Sequence, residues 1–435
     1  MKFNINKWTL GLAAVGAISM ASAVRADDNK LMPDPMHGVN TALSSTIISG
    51  YVSASVNYQG NQTVPNAAGL NSIGSTIPLQ GAKANGFNLD VVKLTISKAQ
   101  DESPWAAGYE ADLLFGPDAV GWNPSPGGGG DLAIQQAYIA LRTPVGNGID
   151  WKVGVFNTVV GYESFDAGNN PNYTRSWGFA VEPTEHTGIL GTYRVSDALS
   201  LSAGIANTLI AGINARNTYN PGFLQNSGAW NKTFMGSVTF SAPSSWGFLS
   251  GSALYAGMVY GFGGGHKNVL SATQGTQGGN QANYYAGATL NSPWKDVTFG
   301  LAFDYVQNVG GNSIDTAQFG PGHGPYVHLN DYVWGIYNTI KATDRLSFNT
   351  RAEYWDADAT SNFPHVCGAD TGVSLTETVE YDLWANVVSR IEVRYDKVMT
   401  GSYGNNPSVG YYNPAGGRVG SLTSLGVYAN VVYKF

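Results

Sequence analysis

Apolar and polar residues alternate with a period of two along most of the chain, in runs of roughly ten residues broken by stretches rich in Gly, Asn, Ser, Asp and Pro. In Ala198–Thr208, Leu199, Leu201, Ala203 and Ile205 fall on one face, and Ser200, Ser202 and Gly204 on the other. In Asp296–Gln307, Val297, Phe299, Leu301, Phe303 and Tyr305 alternate with Asp296, Thr298, Gly300 and Asp304. This period places side chains on opposite faces of a β-strand. It predicts strands over Thr46–Tyr58, Asn88–Ala99, Ala106–Phe115, Asp131–Arg142, Ile149–Asn157, His186–Val195, Ala198–Thr208 and Lys232–Ala242. Further strands are predicted over Gly247–Phe262, Gln281–Asn291, Asp296–Gln307, Asp331–Lys341, Leu346–Asp356, Val373–Ala385, Val388–Met399 and Leu422–Phe435.

The connection after each even-numbered strand is short and the one after each odd-numbered strand is long. The last strand alternates through Leu425, Val427, Ala429, Val431, Tyr433 and Phe435, and stops on that aromatic residue. Outer-membrane β-barrels of Gram-negative bacteria end in this way, with Tyr433 and Phe435 in the position of the C-terminal assembly signal. The fold expected is all-β: a transmembrane antiparallel barrel of about sixteen strands, with fourteen or eighteen as neighbouring alternatives. Short turns would face the periplasm and long loops the outside. The apolar face would meet lipid, because a charge at the bilayer midplane costs about 2–4 kcal/mol in a barrel. Closure would follow from the lack of water to satisfy an open sheet edge.

Composition supports this reading. Aromatic residues make up 12% of the chain and charged residues only 12%, and 56 residues are Gly. Average soluble domains carry about 25% charged residues and about 7% Gly. Past the N-terminus no apolar run approaches the roughly 20 residues of a membrane-spanning helix. Residues 1–26 read as a secretory signal peptide: Lys2 and Lys7, an apolar stretch from Trp8 to Met20, then small residues with cleavage after Ala23 or Ala26. Residues 27–45 are polar and aperiodic, a flexible periplasmic segment, and 46–435 form the barrel. Location in the bacterial outer membrane follows, with lipid and the barrel-assembly machinery as partners. The net charge of −7 and the lack of a basic patch give no reason to expect nucleic acid. Cys367 is the sole cysteine, so no intramolecular disulfide is possible.

Charged residues inside strands alternate with the apolar set and should therefore line a water-filled lumen. Arg351 and Glu353 share one face, and Arg390, Glu392, Arg394 and Asp396 another, with Glu380 and Asp382 on the neighbouring strand. Lys93, Glu110, Asp112, Lys152, Arg194 and Asp304 follow the same rule. The segment Thr158–Glu185 is too long for a hairpin turn and rich in aromatics, which suits a packed loop. It follows the fifth strand, where general porins fold an external loop into the barrel. Glu163, Asp166, Arg175, Glu182 and Glu185 are its candidate constriction residues, with the acids expected to face Arg351, Arg390 and Arg394 in an eyelet of opposed charge.

The run Asn88-Leu89-Asp90-Val91-Val92-Lys93-Leu94, the segment Gly161-Tyr162-Glu163-Ser164-Phe165-Asp166, and the runs Asn170–Ser176 and Glu182–Gly188 resemble the β-barrel porin-2 (OmpL-like) family over nearly all of the mature chain. The resemblance implies an outer-membrane porin and brings no catalytic residue or ligand set with it. Passive diffusion of ions and small hydrophilic solutes is the function expected, with a mild cation preference because acids outnumber bases in the constriction segment. A substrate-specific channel, for sugars for example, is the alternative. A barrel adhesin and an outer-membrane hydrolase are alternatives of another class, the latter resting only on His186 beside Glu185. By analogy, porins of this strand number are often homotrimers. No cofactor or metal site is expected: Gly127–Gly130 lacks the Lys-Ser/Thr of a phosphate loop, the six His are scattered, and Asp356 and Asp358 suit a solvated loop.

Overall fold

The computed structural model describes residues 46–60, 77–80, 83–119, 132–209, 211–214, 232–262, 280–309, 329–357, 370–400 and 422–435. The signal-peptide and periplasmic segments, the Gly127–Gly130 run, Asp358 and Cys367 lie outside them.

Sixteen strands form one closed barrel, each hydrogen-bonded to its neighbours in sequence and the last to the first. They are β1 (Ile47–Gly60), β2 (Gly86–Lys98), β3 (Ala107–Phe115), β4 (Leu132–Thr143), β5 (Ile149–Asn157), β6 (Glu185–Arg194), β7 (Leu199–Ala206) and β8 (Thr233–Ser241). They continue as β9 (Ala253–Phe262), β10 (Asn280–Asn291), β11 (Val297–Val309), β12 (Leu329–Lys341), β13 (Leu346–Ala357), β14 (Asp370–Trp384), β15 (Val387–Thr400) and β16 (Leu422–Lys434). The strand count and the alternation of short and long connections agree with the sequence. The boundary that differs most is the start of β9: the stretch from Gly247 was expected to start a strand, but Ser244–Leu249 makes a 3₁₀ turn and β9 begins at Ala253. Pro243 precedes that turn and has no N–H to give a ladder. Among the described residues no helix is long and apolar enough to cross a membrane, which says nothing against strands that do.

Closure runs through the alternating C-terminal strand. β16 pairs with β1 from Tyr51↔Lys434 to Gly60↔Leu425. Past the ladder, Gly50 N donates to Phe435 O and Phe435 N to Gly50 O, both at 2.9 Å. Leu425, Val427, Val431 and Tyr433 are exposed on the outer face, whereas Ser424, Tyr428, Asn430 and Val432 are buried on the inner one.

The interior is not polar throughout. Phe156, Leu190, Met235, Val259, Tyr285 and Tyr337 form an apolar cluster with Val159, Val160 and Tyr162 of the segment after β5. Val91, Leu114, Ala133 and Val432 form another with Phe165, Ala167 and Phe179 of that same segment. The sequence marks five of these positions. Val91-Val92, Leu113-Leu114, Val155-Phe156, Ile189-Leu190 and Val431-Val432 are apolar doublets where strict alternation would put a polar residue on one face. Val91, Leu114, Phe156, Leu190 and Val432 are buried in clusters that also contain residues of the segment after β5.

A candidate constriction inside the barrel

The segment between β5 and β6 (residues 158–184) is folded into the lumen and ordered by its own polar groups. Asn170 closes a local turn: Ser164 N donates to Asn170 Oδ1 at 2.9 Å, and Asn170 Nδ2 donates to Ser164 O at 2.7 Å. Arg175 holds the two arms together by donating to Tyr173 O at 2.8 Å and Phe165 O at 2.5 Å. Helix α1 (Trp177–Val181) is capped by Ser176, whose hydroxyl accepts from Phe179 N at 3.0 Å. Gly161 has φ of +113°, a conformation that L side chains rarely adopt, and lies against the Glu182 carboxyl.

The wall from β13 to β16 grips this loop through its main chain. Glu392 accepts from Tyr173 N at 2.6 Å and Thr174 N at 3.0 Å. Trp177 N donates to Glu353 at 2.6 Å, and Trp177 Nε1 to Asp396 at 2.9 Å. Arg390 donates to Ala167 O and Asn170 O at 2.6 and 2.8 Å, and Arg394 to Arg175 O at 2.5 Å. Arg351 donates to Thr174 O at 2.6 Å and forms a 2.8 Å ion pair with Glu163. Further round the same wall, beyond β1, Lys93 of β2 bridges Asp112 at 3.1 Å and Asp166 of the loop at 2.8 Å. Charge-assisted bonds of this kind are about twice as strong as neutral ones.

The tip is tied to the external connections as well. Lys83, after β1, lies 2.9 Å from Asp118, after β3, and 3.1 Å from Asp90 of β2, and donates to Tyr173 OH at 3.3 Å. Burial pushes the Asp118 carboxyl up to about 6 against the opposing pull of Lys83. Burial likewise raises the Tyr173 phenol to about 12.

Of the residues singled out from sequence, the structure brings Glu163, Asp166, Arg175 and Glu182 into this loop and Lys93, Asp112, Arg351, Glu353, Arg390, Glu392, Arg394 and Asp396 against it. Arg351, Arg390 and Arg394 do not stand across open water from the acids, however. They are almost wholly buried, and their donors are occupied by loop carbonyls and by Glu163, Glu380 and Asp396. Glu185 opens β6 opposite Asn157, on the strand face that includes exposed Ile189 and opposite to the face of Leu190. It is therefore apart from the loop's other acids. Arg194 sits at a periplasmic turn paired with Asp197 at 2.5 Å, and Asp382 adjoins an irregularity in the β14–β15 ladder. Asp304 lies beneath the loop beside Glu182.

Lys152 and Glu110 stay partly exposed on the wall away from β13–β16, with Lys152 Nζ 4.5 Å from the Tyr138 ring centroid and Glu110 accepting from Tyr138 OH at 3.1 Å. His186 approaches Thr158 Oγ1 at 3.1 Å and Thr208 O at 3.4 Å, while adjacent Glu185 is on the opposite face, so the two do not form an acid–base pair. Among the described residues no group of three or more His, Cys, Asp or Glu is placed to hold a metal ion. Asn172, Thr174 and Trp177, which the sequence reading did not single out for a role, carry much of the docking.

Comparison with solved structures returns outer-membrane channels. The chain is similar to the outer membrane channel DcaP of Acinetobacter baumannii at 12% identity, covering 92% of this chain and 99% of that one, with a TM-score of 0.57. It is similar to an anion-selective porin from Comamonas acidovorans at 10% identity over 90% and 99% of the two chains, with a TM-score of 0.55. The trimer form of OmpT from Vibrio cholerae gives 12% identity over 90% and 99%, with a TM-score of 0.54. At these identities the likeness shows the fold alone. No curated protein matches the chain. A family model described as "Putative beta-barrel porin-2, OmpL-like" matches residues 45–430. With sixteen strands, a closed barrel and that match across nearly the whole sequence, the chain belongs to the β-barrel porin-2, OmpL-like family and is an outer-membrane porin.

Proposed function

We propose that this porin passes ions and small hydrophilic solutes by diffusion, and that the loop of residues 158–184 sets the width and charge of the passage. The observation that carries this is the loop's reach across the lumen, from its stems at β5 and β6 to Arg351, Glu392 and Arg394 on β13 and β15 and Lys93 on β2, an arc of wall opposite those stems in the strand order. A loop rooted in one wall of a barrel and bonded to the opposite wall narrows it at a fixed position.

The accessible charge supports a mild cation preference. The three wall arginines are buried under the loop, whereas Glu110 and part of Asp166 remain in reach of water, with Lys152 as a counterweight. Export, assembly through Tyr433 and Phe435, and association as a homotrimer complete the reading. The trimer rests on the OmpT trimer form among the similar folds.

Single-channel recording of the refolded protein in a planar bilayer tests this, beside a variant lacking Tyr162 to Trp177. Stepwise conductance that is larger in the variant is the expected result. If neither protein conducts while both retain barrel-type circular dichroism, the diffusion reading fails. Under a salt gradient, a reversal potential of anion sign would refute the charge preference.

A further inference from the structure

The neck of the loop contains an arrangement that the docking bonds above do not use. Glu182 follows α1, and its carboxyl stands beside that of Asp304 on β11, the two flanking Gly178. Tyr162 N also donates to Glu182. Gly161 lies against Glu182, and an ideal Cβ on Gly178 would stand 2.8 Å from Asp304 Oδ2. The pair lines a small cavity with Tyr162, Ser176, Tyr337 and Glu353, where Asp304 Oδ2 has no hydrogen-bond partner.

A count of charge fixes the state of the pair. Four carboxyl groups, Glu163, Glu182, Asp304 and Glu353, gather here, and Arg351 reaches two of them: Glu163 at 2.8 Å and Glu353 at 3.0 Å. The next cation, Arg394 on β15, is held by Asp396 at 2.9 Å. The groups that face the pair from β10, β12 and the loop are the phenols of Tyr285, Tyr337 and Tyr162, all buried. A carboxylate only accepts hydrogen bonds, so a bond between two carboxyl groups requires one proton. Two ionised carboxylates in contact would repel in a dry site without a cation to offset them. Burial, together with the Asp304 carboxyl, accordingly pushes Glu182 well above the usual carboxylate range.

We propose that Glu182 and Asp304 form a proton-held latch, and that loss of their shared proton frees the neck of the loop from β11 and widens the passage. This rests on the diffusion reading above. The sign follows from linkage: the docked pair retains a proton that separated, solvated carboxyls would release near pH 4, so docking takes up a proton. Acidification therefore favours the narrow state and alkalinisation the wide one.

The test is single-channel conductance of the refolded full chain at fixed salt from pH 5 to pH 9, for wild type, Asp304→Asn and Glu182→Gln. An upward step in wild-type conductance with rising pH, lost in both variants, is the expected result. Either amide donates to the remaining carboxyl without a shared proton, so both variants should keep the low, acid-type value. Because one substitution is in a strand and the other in the loop, failure of one to refold leaves the other to decide. A flat wild-type profile overturns the latch, as does a step that persists in either variant. A step that moves with added sodium or calcium instead of pH assigns the site to a cation and also overturns it. Absence of conductance in all three proteins at every pH would instead defeat the diffusion reading itself.

Discussion

Arg351 on β13 and Glu163 in the loop, 188 residues apart in sequence, form an ion pair at 2.8 Å with both side chains completely buried. Such a pair is poor evidence of net stability, since desolvating two charges offsets most of their attraction. Its value is positional. Breaking it leaves one charge buried alone, so the loop has a single low-energy seat.

Replacing Arg351 alone should therefore release the loop. Arg351→Met leaves Glu163 uncompensated at a cost of about 3–5 kcal/mol to docking. Larger and noisier single-channel currents are expected. The double variant with Glu163→Gln should recover part of the wild-type conductance, because it removes the stranded charge.

Glu392 is the wall's anchor for the loop tip, accepting from Tyr173 N and Thr174 N while Thr378 donates to it at 2.8 Å. Glu392→Gln puts an amide NH₂ where one of these donors needs an acceptor. A cost of about 1–3 kcal/mol follows for the unsatisfied group. Faster proteolysis within residues 158–184, with the barrel itself intact, is the readout.

Tyr162 stacks on Tyr337 with ring centroids 4.1 Å apart inside the first apolar cluster. Tyr162→Ala removes a large buried side chain, at a cost of about 3–5 kcal/mol by analogy with aromatic-to-Ala changes in cores. Liposome swelling should then admit larger sugars than the wild-type porin does.

Asp118 gives the external connections a pH dependence. Its carboxyl is raised to about 6 by burial, so the folded state holds a proton that the unfolded chain releases near its ordinary value. That contribution to stability is full below about pH 4 and is lost as pH rises towards 6. The unfolding temperature of wild type minus that of Asp118→Asn should fall across this window. A difference that is constant with pH would refute the assignment.

The chain end should matter for assembly more than for the finished pore. Phe435 makes two main-chain bonds to Gly50, one residue beyond the β1–β16 ladder. Deleting it removes the last closing contacts, and a smaller heat-modifiable fraction on electrophoresis is expected, with unchanged conductance in the barrels that do form.

Much of the barrel was legible in the sequence because strand periodicity is local. Leu425, Val427 and Val431 alternate with Ser424, Tyr428 and Asn430, and that pattern survives whatever the strand pairs with. The place of the loop was legible too, since 158–184 follows β5 and carries Tyr162, Phe165, Tyr173 and Trp177. Its chemistry was less so. Arg351, Arg390 and Arg394 read as pore-lining cations, but the loop's carbonyls cover them, and no pattern within β13 or β15 reports a partner some 180 to 220 residues away. The apolar doublets were the overlooked signal, because an inward-facing Phe156 or Leu190 is unwelcome in water unless another segment covers it.

The sequence by itself determined which side chains face lipid and which face inward, the number of strands to within two, and where the ends of the sheet meet. A two-residue period and an interior without water leave few other solutions. Only the tertiary structure decided which inward charges are spent on holding the loop and which remain for the solute. That depends on long-range contacts such as Glu163 with Arg351 and Glu182 with Asp304, where the local charge balance, not the residue type, sets whether a group is paired, protonated or free.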